Sequence, residues 1–157
     1  MINNDILRRI RYALDLSDTK MLDLFKQAQQ NINHTELKAL LKKEEEEGFI
    51  ECKDRQLSAF LDALIVDRRG PRDPNAPQPK PNVYALLTNN DILKKLRIAL
   101  ELHEKEMLNV LALGEMKISS SELNALFRNK KHRHYKTCGD QLLRNFLNGL
   151  TKKLRNV

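Results

Sequence analysis

Apolar residues recur along this chain at intervals of three and four. Ile6, Leu7, Ile10, Ala13 and Leu14 fall on one face at helical spacing, which predicts a first helix from about Asp5 to Leu16. Asn3 or Asn4 is the expected cap, because an Asn side chain accepts from the free amides of a first turn. Asp5 suits the positive end of the dipole. A second helix is expected after Ser17, carrying Met21, Leu22, Leu24 and Phe25. A third opens at Asn33-x-x-Glu36, the form of a capping box, and presents Leu37, Leu40 and Leu41. A fourth follows Asp54 with Leu57, Phe60, Leu61 and Leu64. β-branched runs and strict alternation are scarce, so the expected fold class is all-α.

The same pattern then returns. Sliding the chain by 86 residues lays Asn3-Asn4-Asp5-Ile6-Leu7 on Asn89-Asn90-Asp91-Ile92-Leu93, and the register holds without a gap to Arg69 over Arg155. Ser119-x-x-Glu122 repeats the capping box. Most identical pairs are apolar and read as core: Ile6/Ile92, Leu14/Leu100, Met21/Met107, Leu37/Leu123, Phe60/Phe146 and Leu64/Leu150. The retained polar pairs, among them Asn3/Asn89, Asn4/Asn90, Asp54/Asp140 and Arg69/Arg155, read as caps and helix-end charges. The chain therefore divides into a first helical copy, 1–70, a linker, 71–86, and a second copy, 87–157. All five prolines lie in the linker, and such a segment reaches roughly 50 Å when extended at about 3.1 Å per residue. A unit of this size buries only about 60% of its unfolded surface. Two tandem four-helix domains packed about a pseudo-twofold axis are the expected architecture.

The doubled motif Asn-Asn-Asp-Ile-Leu-x-x-x-Arg-x-Ala-Leu-x-Leu, at 3–16 and 89–102, joins Cys-x-Asp-x-x-Leu-x-x-Phe-Leu at 52–61. Together they resemble the YehS-type family of tandem-duplicated bacterial proteins of unknown function, over essentially the whole chain. The resemblance implies a bacterial cytosolic origin and carries over no catalytic or binding residue. The segment Arg128–Lys136 is more basic than it leads one to expect.

Charge separates the copies. The net formal charge is +7, but residues 1–70 hold 12 Lys/Arg against 13 Asp/Glu, and residues 87–157 hold 14 against seven. The difference is sharpest between the third and fourth helices. Copy one reads Lys42-Lys43-Glu44-Glu45-Glu46-Glu47 there, and copy two reads Arg128-Asn129-Lys130-Lys131-His132-Arg133-His134-Tyr135-Lys136. A basic cluster with a neighbouring Tyr suits phosphates and a stacked base. The candidate nucleic-acid contacts are therefore Arg128, Lys130, Lys131, Arg133 and Lys136, helped by Lys152, Lys153 and Arg155. Charge runs are more often solvated faces, and the two loops could also pair with each other, within or between chains.

Other chemistry finds less support. His132, His134 and Cys138 are loosely spaced for a metal and lack a fourth ligand. Cys52 and Cys138 have no adjacent base to form a thiolate, and read as small, buried, unpaired thiols. Phosphate-loop, dinucleotide, nucleophile-elbow and zinc-protease motifs are missing. No apolar run is long enough to span a membrane, and Met1–Asp5 lacks the opening of a secretory signal. The expected protein is cytoplasmic, needs no cofactor and is not an enzyme. It reads as a non-enzymatic binding module, an interaction or regulatory protein with a macromolecular partner. A protein partner comes first, because copy one is slightly acidic and aromatic residues make up only 5% of the chain. The alternative is RNA or DNA held by the basic second copy. Partner identity and oligomeric state carry no signature in the sequence.

Overall fold

The computed structural model describes residues 1–70 and 86–156, and among them it holds eight helices and no strand. Copy one supplies α1 (Asn3–Ala13), α2 (Asp18–Gln27), α3 (His34–Leu40) and α4 (Asp54–Arg69). Copy two supplies α5 (Asn89–Ala99), α6 (Glu104–Leu113), α7 (Ser120–Leu126) and α8 (Asp140–Arg155). Every helix begins and ends 86 residues after its counterpart. The expected duplication is thus present element by element; the proline-rich stretch 71–85 lies outside the described residues.

Side-chain caps set several of these starts. Ser17 Oγ accepts from the Lys20 amide at 3.1 Å at the head of α2. The Asn33–Glu36 and Ser119–Glu122 capping boxes both form. At α1 the expectation fails: the cap position is Ile2, which makes no side-chain cap bond, and Asn3 and Asn4 lie inside the helix. In copy two Thr88 caps instead, accepting from the Asp91 amide at 3.1 Å.

Those asparagines tie loops rather than helix ends. Asn4 Nδ2 donates to the carbonyls of Leu40 and Ile50, each at 2.8 Å, and its Oδ1 accepts from the Cys52 amide at 2.9 Å. Asn90 repeats the set on Leu126 and Lys136, each at 2.9 Å, and on the Cys138 amide at 2.8 Å. Both amides are buried, and using donors and acceptor together removes the cost of an unpaired polar group. Each charged loop is therefore stapled, at both ends, to the first helix of its copy.

The copies dock by exchanging helix partners. α1 packs on α8, and α4 packs on α5. Polar contacts fix the sense of each pair. Met1 N donates to Asp140 Oδ2 at 2.5 Å, as Leu87 N–H donates to Asp54 Oδ2 at 3.0 Å. Midway, Arg9 bonds Asn148 at 2.9 Å, as Lys95 bonds Asp62. At the far end Arg155 donates to the Tyr12 carbonyl at 3.0 Å and pairs with Asp15 at 3.2 Å. Arg69 matches it on the Ile98 carbonyl at 3.4 Å and on Glu101 at 3.6 Å. Each contact has a partner 86 residues on, so the docking is pseudo-twofold. The registers also show that helices within each pair run in the same sense. Asn3 Nδ2 ties α1 to the start of α4 through Asp54 Oδ1 at 2.7 Å. α1, α4, α5 and α8 therefore form a central ring with their amino termini at one end. One apolar cluster runs through both copies.

Packing against this ring differs between copies at two positions. Gly114 on the end of α6 and Gly149 on α8 touch backbone: a Cβ at Gly149 would lie 1.9 Å from the Val110 carbonyl oxygen, and one at Gly114 would lie 1.9 Å from that of Asn145. Copy one has Ala28 and Ala63 in these places, and there an open groove of about 270 Å³ separates α2 from α4.

Candidate nucleic-acid interface

The basic loop of copy two sits at the amino-terminal end of the ring, held by Asn90. Its ends are backbone-bonded, with Lys136 N–H on the Ala125 carbonyl at 3.0 Å. Inside it, His134 N–H bonds His132 Nδ1 at 3.0 Å, Arg133 Nε bonds His134 Nε2 at 3.1 Å, and Arg128 donates to the His134 carbonyl at 3.0 Å. These bonds shape the loop without consuming its charge. Among the described residues, Arg128, Lys130, Lys131 and Arg133 have no carboxylate within ion-pair distance, whereas Lys136 pairs with Glu122 at 3.2 Å. Hydrogen bonds from the Ser119 amide and from Lys136 hold the Glu122 carboxyl below the ordinary range.

An open groove of about 620 Å³ adjoins the loop, between it and the first turn of α5. Arg128, Lys130, Tyr135 and Phe127 line one side, and Lys94 and Asp91 the other. Burial, and the Asp91 charge nearby, push the Tyr135 phenol upward, so it is un-ionised at neutral pH. Phe127 carries Arg97 over one ring face at 4.6 Å. In copy one the position of Lys94 is taken by Arg8, whose guanidinium bridges the Lys42 carbonyl at 2.9 Å and the Asp5 carboxylate. A planar fork reaches two acceptors at once. The Lys94 ammonium carries three donors without that fixed fork, and it pairs with no carboxylate among the described residues. Lys94 was not singled out in the sequence, because it lies on α5, 34 residues from Arg128.

The eight candidate cations do not form one patch. Asp140 opens α8 beside the loop, and Lys153 lies 13 residues along it, roughly 20 Å away at the helical rise. Lys152, Lys153 and Arg155 thus sit at the carboxyl-terminal end, where cations complement the dipole. Arg155 is committed to Asp15 and stacks on Tyr12 at 4.1 Å, so it fastens the copies together. No ion pair among the described residues joins Glu44–Glu47 to the basic loop; Lys42 Nζ donates to the Glu47 carbonyl at 2.6 Å.

The cysteines are free and buried. Burial pushes the Cys52 thiol up to about 12 and the Cys138 thiol up to about 11, far from a thiolate at neutral pH. His132 and His134 stack with ring centres 5.7 Å apart, and both rings accept hydrogen bonds within the loop. Among the described residues no three His, Cys, Asp or Glu side chains gather as a metal site would require. No helix among them is long and apolar enough to cross a membrane.

Comparison with known proteins agrees with the geometry. Residues 3–70 and 89–156 each match the family described as "Protein of unknown function (DUF1456)", which places the duplication where the helices repeat. The "Uncharacterized protein YehS" of Escherichia coli (strain K12) is 37% identical over 153 residues, covering 98% of this chain and 96% of that protein. No solved structure matches. With both halves matched and a relative similar along almost its whole length, the chain belongs to the DUF1456 family.

Proposed function

We propose that the protein is a binding module, not an enzyme, and that it takes the phosphate backbone of a nucleic acid on the basic loop of copy two. One observation carries this reading: Arg128 and Lys130 line an open groove, and they, Lys131 and Arg133 have no carboxylate partners among the described residues. The equivalent loop of copy one is acidic, and there Arg8 bridges the Lys42 carbonyl and Asp5. Uncompensated cations at a concave surface draw polyanions by counterion release. Copy one then supplies half of the ring that holds the loop. On the sequence alone a protein partner ranked first, because copy one is slightly acidic and aromatic residues are few. The groove beside unpaired cations is what favours a nucleic acid in the present reading.

The test is binding of labelled nucleic acid across a salt series. Replacing Lys130, Lys131 and Arg133 by Glu should abolish binding, with helical content unchanged. Each neutralised phosphate contact should lower the salt slope by about one. Lys152→Gln with Lys153→Gln, at the opposite end of α8, should leave affinity nearly intact. Equal losses from both variants would show non-specific charge attraction and overturn the site.

A further inference from the structure

We infer that the groove beside the loop takes one unpaired base, so that the nucleic acid bound is single-stranded. This rests on the reading just given and deepens it.

The argument begins with shape. The groove is about 620 Å³, within the range of sites that hold a small ligand. Its lining combines Tyr135, Phe127 and Leu86 with Lys94, Arg128 and Lys130, and also holds Asp91 and the polar Thr88 and Asn129. A recess of mixed polarity with aromatic side chains and a cationic rim matches a nucleotide, with a flat aromatic base and a charged phosphate on each side. Stacking against an aromatic ring is tolerant of sequence, since every base has a π-face. A base enters such a recess only when unstacked and unpaired, a state that costs nothing extra in a single strand and several kcal/mol in a duplex. The buried asparagine at the groove is not free to read a base. The Asn90 amide at the groove has its donors on Leu126 and Lys136 and its acceptor on Cys138, leaving little to meet a base edge.

Comparison of the copies adds an independent argument. Copy one has Phe49 where copy two has Tyr135, and Leu41 where it has Phe127. There Arg8 spans the corresponding space to the Lys42 carbonyl and to Asp5. In copy two the acceptors remain: Asp91 stands where Asp5 stands, and Arg128 where Lys42 stands. Where copy one has the Arg8 guanidinium to bridge them, copy two has the Lys94 ammonium. Lysine at position 94 therefore leaves unmade the bridge that Arg8 makes in copy one.

That difference supplies a test that keeps net charge constant. Lys94→Arg should let a guanidinium bridge Asp91 and the Arg128 carbonyl across the groove, as Arg8 bridges Asp5 and the Lys42 carbonyl. The full-length protein is titrated with labelled oligo(dT), with oligo(U), and with a blunt duplex of equal length, all at one salt concentration. The wild type should prefer single strands. Both Lys94→Arg and Tyr135→Leu should weaken single-strand binding about tenfold, the loss of one stacked base, with duplex binding unchanged. Tyr135→Phe should retain affinity. If Tyr135→Leu unfolds, Lys94→Arg alone decides. Single-strand affinity unmoved by Lys94→Arg, or a duplex bound as tightly as a single strand, overturns the inference and leaves the basic-loop reading standing. Failure of the wild type to bind any of the three probes overturns both.

Discussion

At the scale of single residues, the most consequential side chains are the two buried asparagines. Asn4 and Asn90 each join three backbone groups lying 36 to 48 residues away in sequence. Truncation would leave two carbonyls and an amide without partners in a buried place, and each unpaired group costs roughly 1–3 kcal/mol. Asn4→Ala and Asn90→Ala should each lower unfolding free energy by about 3 kcal/mol or more, read by urea denaturation. A loss below about 1 kcal/mol would mean that water replaces the amide. Asn90→Ala should also weaken nucleic-acid binding, since it frees the carboxyl-terminal end of the basic loop. Sequence reasoning saw these residues, repeated at 86-residue spacing, but assigned them to helix caps. A cap is a local explanation, and the true partners are distant.

At the scale of elements, the two copies show how little is needed to change helix packing. α6 and α8 approach closely because Gly114 and Gly149 present no Cβ, while Ala28 and Ala63 hold α2 off α4. In a helix, Gly→Ala ordinarily gains about 1 kcal/mol from propensity. At Gly149 the sign should reverse: a methyl 1.9 Å from a carbonyl oxygen forces the helices apart, and overpacking of this kind costs about 1–3 kcal/mol. Gly149→Ala should therefore destabilise by about 2 kcal/mol on thermal or chemical unfolding. Ala63→Gly in copy one should cost only about 1 kcal/mol. A stabilised Gly149→Ala protein would show that the contact relaxes freely.

At the scale of the whole molecule, the central ring draws two helices from each copy, so neither copy is complete alone. Opening copy one means lifting α1 from α8 and α4 from α5. The copies should therefore unfold in a single transition. The thiols report this directly, one from each half. Both are buried, and burial raises both pKa values, so thiolate is scarce even at mildly alkaline pH. Cys52 and Cys138 should react with a disulfide reagent at the same slow rate, set by global unfolding, and should do so together as denaturant rises. Fast labelling of one alone would mean that its copy opens independently.

The sequence by itself determined the helix count, the core and the duplication. Those depend on apolar spacing and on caps such as Ser17 and Asn33, which act within a few residues. Ile6, Met21, Phe60 and their counterparts are buried as the pattern requires, while Leu14 and Leu100 are only partly so. The sequence also showed the basic loop and Tyr135. It did not show that Lys94 faces them, that Arg155 is spent on Asp15, or that Lys152 and Lys153 lie at the opposite end of the ring. Helix direction, and which copy's helix packs on which, depend on contacts between residues as far apart as 143 positions. Such contacts leave no local period to read. Only the tertiary structure set Arg128 and Lys130 on a groove at one end of the ring and fastened Arg155 to Asp15 at the other.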